Sequence, residues 1–166
     1  IIENPSKIFN FWGAYNFWQS NIGGAADLDT LAFVELLKSQ KNVQLFGAVP
    51  SEKLAGAMQN MDAFLICYDV TKDQSKGTNY HKVMEFISTG KVTVSNNITT
   101  YGNQPNLVQM VSERTHNKLL PELFKQVTDN LDIYNSRPLQ EQRQNFAKDN
   151  TYSKQVERIE ELIYEA

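Results

Sequence analysis

Apolar positions in this chain alternate between short unbroken runs and longer stretches at helical spacing. Lys7-Ile-Phe-Asn-Phe-Trp12 is apolar and aromatic and stops at Gly13, the pattern of a buried strand ending in a turn. Gly23-Gly24 marks a flexible turn, after which Asp27 and Asp29 open a helix expected to run to about Ser39. Asn42-Val-Gln-Leu-Phe46 reads as a second strand closed by Gly47, and Ser51 as the N-cap of a helix carrying Leu54, Met58 and Met61 on one face. The continuous run 63–68 predicts a strand covered on both faces.

A polar loop is expected over 69–78, then a helix from about Tyr80 to Thr89 capped by Gly90, and a short strand over 91–95. Residues 96–106 read as loop, and 106–111 as either a last strand or the start of a helix. From Asn117 onward Leu120, Leu123, Phe124, Val127 and Leu131 trace an apolar helical face, and Pro138 separates it from two further helical stretches. Strands without period-two polarity that alternate with helices predict a Rossmann-like α/β domain: an open parallel sheet with helices on both faces and a helical tail, one domain over 1–166.

Composition narrows the functions open to such a domain. With 166 residues, 41% hydrophobic, the chain is long enough for one sizeable core. A net charge of −3 gives no basic field for nucleic acid or an anionic membrane, so a phosphate ligand has to be held locally. The single cysteine, Cys67, lies in an apolar run and reads as a small buried hydrophobe. His81 and His116 are far apart, so no metal site is expected. With no bilayer-length apolar segment and no signal-peptide pattern at Ile1, the cytoplasm is the expected compartment.

In open parallel sheets ligands bind beyond the carboxyl ends of the strands, here the loops after Trp12, Phe46, Tyr68 and Ser95. Gly13 and Gly47 permit close backbone approach there, as they would in any strand-to-loop turn. The more informative segment is Lys76 to Lys91. Amides around Thr78, Asn79 and His81 at a helix start, with Lys82 in the first turn, suit a diphosphate. Lys82 and Glu85 share a helix face at i,i+3; an exposed ion pair uses that spacing, and so does a carboxylate that accepts from two vicinal ribose hydroxyls.

Three blocks, Asn42-Val-Gln-Leu-Phe-Gly-Ala-Val-Pro-Ser51, Asp62-Ala-Phe-Leu-Ile66 and Asn79-Tyr-His-Lys-Val-Met-Glu-Phe-Ile-Ser-Thr-Gly-Lys-Val-Thr-Val-Ser95, resemble in order and spacing the signatures of GT-B glycosyltransferases of the group-one, family-four type. The resemblance extends more loosely over Arg143-Gln-Asn-Phe-Ala147 and Thr151-Tyr152 and covers roughly residues 7–164. It implies the donor-binding C-terminal half of such an enzyme, using a nucleotide diphosphate sugar as substrate without a metal. Glu85 would bind the ribose, while Thr78, Asn79 and Lys82 would face the diphosphate, Lys82 stabilising the leaving group. Gly47, Ala48 and Val49 would lie against the base, and the 69–78 loop would approach the sugar. The acceptor, a carbohydrate or lipid-linked sugar, would be met by an N-terminal domain that this chain lacks, which could also bring the enzyme to a membrane periphery. Bacterial surface polysaccharide assembly is the usual setting.

Two features depart from the family pattern. Where many retaining relatives carry a second Glu, position 77 is Gly; and Gly-Lys-Pro becomes Gly90-Lys91-Val92. The family's first Rossmann strand and helix also have no counterpart before residue 7, so an open sheet edge and a homodimer are expected. Two other classes stay open: an interaction module with no nucleotide affinity, and a sugar-nucleotide epimerase of the same fold. Neither a dinucleotide-binding Gly-x-Gly-x-x-Gly nor a phosphate-binding loop of the NTPase type occurs.

Overall fold

The computed structural model describes residues 1–15, 28–71 and 82–164. The chain falls into two compact units, Ile1–Ala57 and Met58–Ala166. Among the described residues its strands are parallel, the first three α-helices lie between them in sequence and the remaining four follow the last strand, an α/β arrangement of the Rossmann-like class. Among the described residues the strands form two sheets, β1-β2 and β3-β4-β5, where one continuous sheet was expected. No helix is long and apolar enough to cross a membrane among these residues.

In the first unit β1 (Phe9–Trp12) pairs in parallel with β2 (Val43–Gly47), and α1 (Leu28–Ser39) lies between them in the chain. The register slips between Phe11 and Trp12, which sets Trp12 opposite Gly47 and stacks its ring on Phe46 at 4.9 Å. Asn42 fixes the start of this pair: its Nδ2 donates toward the carbonyls of Ile1, Asn4 and Lys7 at 3.3, 3.1 and 3.1 Å. Helix α2 runs from Ser51 to Met58; Ser51, expected as the N-cap, is its first helical residue, and the Leu54 amide donates to the Pro50 carbonyl at 3.0 Å.

In the second unit β4 (Val92–Ser95) lies between β3 (Ala63–Ile66) and β5 (Gln109–Met110). All four β4 residues are buried, and their alternation feeds two cores. Val92 and Val94 join Val111, Leu120 and Val127 under α4 (Leu120–Thr128) and α5 (Leu131–Tyr134). The opposite face holds Ile66, Val83, Ile87, Ile98 and Tyr101, with α3 (Lys82–Ser88) and Ala147 of α6 (Arg137–Asp149). Register pairs Phe64 with Thr93, and Phe64 stacks on Phe86 of α3 at 4.2 Å. Helices therefore cover both faces of this sheet. The run 63–68 behaves differently from the expectation of a strand covered on both faces. Its strand ends at Ile66, and Leu65, on the face opposite Phe64 and Ile66, is 41% exposed.

Side chains close what the short strands leave open. Asn135 Oδ1 accepts from the Val92 amide at 2.8 Å and its Nδ2 donates to the Asp62 carbonyl at 2.7 Å, sealing the amino end of β3 and β4. Arg143, fully buried, donates to the carbonyls of Asn106 and Gly90 at 2.9 and 3.0 Å. Burial pushes its guanidinium down to about 10, still charged at neutral pH. Gly90 ends α3 at φ +81°, as its capping role predicts, and a Cβ there would meet the Gln140 carbonyl at 3.1 Å. The tail continues into α7 (Tyr152–Tyr164), all of it exposed.

Two hydroxyls on the α3 face of β4, Thr93 Oγ1 and Ser95 Oγ, are buried without a hydrogen-bond partner among the described residues. An unsatisfied buried hydroxyl costs more than the methyl that would replace it. We therefore expect Thr93→Val to stabilise the protein by about 1 kcal/mol. A raised urea midpoint with unchanged slope would show it; a lowered midpoint would mean that the hydroxyl has a partner in solution.

Candidate functional site

The carboxyl end of the β3-β4-β5 sheet is built from asparagines. Beyond β4 the ladder continues through Asn96, whose amide donates to the Ile66 carbonyl at 3.2 Å and whose Oδ1 accepts from the Tyr68 amide at 3.0 Å. The next residue works toward the other neighbour: Asn97 Nδ2 donates to the carbonyls of Val111 and Ser112 at 3.0 and 3.2 Å. Asn117 completes the rim by donating Nδ2 to the Tyr68 carbonyl at 2.7 Å. Three side-chain amides thus take up peptide groups that lie past the last strand residues.

Tyr68 is the residue this rim holds. Its N–H and its C=O are both bonded by asparagine side chains, and its ring packs partly buried against the core under α3. Lys82, the first residue of α3, extends its ammonium over that ring, 5.7 Å from the centroid. Glu85 lies one turn along the same helix and is exposed. No ion pair joins Lys82 and Glu85, so the simplest use of their i,i+3 spacing is absent, although both residues are exposed.

The remaining sequence-selected residues distribute as follows. Gly47, at φ +71°, and Gly13, at φ +128°, meet directly: the Gly13 amide donates to the Gly47 carbonyl at 2.8 Å. Positive φ at both explains the residue choice. Ala48 is exposed and Val49 half-buried, and both follow β2 in the first unit, whereas Lys82 and Glu85 belong to the second. Thr78 and Asn79 lie outside the described residues, as do His81, most of the 69–78 loop and the amides expected at the helix start. Sequence reading passed over Tyr68, Asn96 and Asn117. The available signal was Asn96-Asn97 directly after an apolar strand, where amides can prolong a ladder.

Cys67 corrects its expectation. It is exposed rather than buried, because the strand ends at Ile66 and residue 67 already belongs to the rim. Partial desolvation, and then the Asp69 carboxylate, raise its thiol pKa. Glu113, after β5, accepts from the Thr115 hydroxyl and from the Thr115 and Arg114 amides at 2.7, 2.8 and 2.8 Å, which holds its carboxyl down at about 2. Among the described residues no three His, Cys, Asp or Glu side chains converge as metal ligands. A cleft of about 190 Å³ lies elsewhere in this unit, lined by Asn103, Gln104, Asn106, Gln142 and Phe146. Comparison with family models, with curated proteins and with solved structures finds no match.

Two measurements follow from these carboxylates. Cys67 should react slowly with a thiol-alkylating reagent near neutral pH, and Asp69→Asn should speed the reaction by lowering the thiol pKa; an equal or slower rate would remove Asp69 from the account. Glu113, with a depressed carboxyl, contributes stability that is present above the ordinary value of 4.5 and is lost as pH falls toward about 2. The stability advantage of wild type over Glu113→Gln should accordingly shrink across that interval in denaturant titrations, and a gap independent of pH would contradict it.

Proposed function

We propose that this chain is the donor-binding half of a GT-B glycosyltransferase that transfers a sugar from a nucleotide diphosphate to a carbohydrate or lipid-linked acceptor. The observation that carries the reading is the presentation of Lys82 and Glu85 on one helix beside the carboxyl end of a parallel sheet, with Lys82 set over Tyr68 and not paired with Glu85. That edge is where ligands of such sheets bind. In the proposal the Lys82 ammonium stabilises the diphosphate as the glycosidic bond to it breaks, and the Glu85 carboxylate accepts from the two ribose hydroxyls. Catalysis is positioning and charge stabilisation, and the acceptor side of the cleft belongs to a further domain. The assignments of Gly47, Ala48 and Val49 to the base and of Thr78 and Asn79 to the diphosphate rest on the sequence resemblance alone.

One observation favours a second reading, an interaction module. Val156, Ile159, Leu162 and Ile163 of α7 are 53%, 56%, 70% and 66% exposed and lie along one side of the helix, a row that soluble proteins normally cover. An interaction module predicts no nucleotide affinity. Calorimetric titration with UDP, GDP and ADP separates the two. We expect one nucleotide to bind saturably and Glu85→Ala to weaken it about tenfold, the worth of hydrogen bonds to a charged acceptor. Unchanged affinity in the variant would remove Glu85 from the ribose, and no binding by the folded wild type would favour the module.

A further inference from the structure

Tyr68 lies two residues beyond the end of β3, where a chain leaving a sheet would ordinarily give its peptide groups to water. Instead both are taken by side chains brought from 28 and 49 residues away, Asn96 accepting from its N–H and Asn117 donating to its C=O. Asn96 is only 1% exposed, so one jaw of this clamp is part of the core. The ring so fixed is the surface beneath the Lys82 ammonium. A lysine head on a four-carbon stem samples many rotamers, and a ring face at cation–π distance narrows that choice.

We infer that Asn96 and Asn117 are positioning residues that lock the main chain of Tyr68, and that the Tyr68 ring is a platform that aims Lys82 at the anionic group of its ligand. The second half rests on the proposed nucleotide site; the clamp and the ring contact do not. Asn117 keeps its own Oδ1 buried with no partner among the described residues, so its side-chain hydrogen bonds to them all run through Nδ2, the shortest to the Tyr68 carbonyl at 2.7 Å. Removing the Asn117 amide would free the Tyr68 carbonyl, let the ring shift, and return Lys82 to its solvent rotamers.

The test joins a spectroscopic signature to binding. A proton held over an aromatic face is shifted upfield, so the Lys82 ε-methylene protons should be shifted in the wild-type chain, remain so in Tyr68→Phe, and lose the shift in Tyr68→Leu and Asn117→Ala. Diphosphate affinity, read with UDP, GDP and ADP, should fall about threefold in Tyr68→Leu and in Asn117→Ala while Tyr68→Phe retains it. An unshifted Lys82 in wild type overturns the inference. So does a shift that Tyr68→Leu abolishes with no change in nucleotide affinity. If the shift follows the pattern but wild type binds none of the three nucleotides, the clamp stands and the nucleotide reading fails. Tyr68→Leu alters a side chain at the rim, so it decides the question even if Asn117→Ala does not fold.

Discussion

Every peptide group removed from water must find a partner, and in the second unit that requirement bears hardest on β4. This strand is buried on both faces and only four residues long, flanked by a four-residue and a two-residue neighbour. Its backbone ladder is too short to satisfy the chain that enters and leaves it. The deficit is met from outside the strands: Asn135 at one end, Asn96, Asn97 and Asn117 at the other, and Arg143 on the carbonyls of Gly90 and Asn106. Packing of α3, α4 and α6 presupposes that these groups are already paired, since a stranded amide or carbonyl beneath a helix would cost about as much as deleting a buried methyl group from the core.

The same solution gives the rim its chemistry. Amide side chains bond to backbone in both directions, so they can hold a residue that no strand holds, and Tyr68 is such a residue. A fixed aromatic ring in turn gives a lysine somewhere to rest other than on the nearest carboxylate. Without it the i,i+3 spacing of Lys82 and Glu85 would favour an ordinary surface pair. Stability and site chemistry thus draw on the same few side chains.

Much of this was legible in the sequence. Short apolar segments located the first four strands and left 106–111, which holds the fifth, open between strand and helix; Gly90 marked the end of α3, Ser51 the start of α2, and Gly13 and Gly47 the turns that prove to touch each other. The spacing of Lys82 and Glu85 picked out a shared face. Elsewhere local pattern was a poor guide, for a consistent reason. The run 63–68 is apolar throughout, yet pairing stops at Ile66, which leaves Cys67 exposed, and within the strand Leu65 points to the face opposite Phe64 and Ile66 and is exposed as well. Asn96 and Asn97 after β4 look like loop, because the partners their side chains take at the rim, Tyr68, Val111 and Ser112, lie 14 to 28 residues away and leave no mark nearby. Tyr68 at the end of an apolar run looks like core until the two amides that hold it are placed.

A sheet sealed by asparagines carries a clock. Asparagine is among the side chains that age chemically, losing its amide nitrogen to become aspartate, and it does so faster with heat. At Asn117 that change would replace the donor facing the Tyr68 carbonyl with a second acceptor bearing negative charge, and at Asn135 it would do the same opposite Asp62. The aliphatic cores on either side would be untouched. Where those amides are lost, the sheet would open at the ends of its strands rather than in its interior.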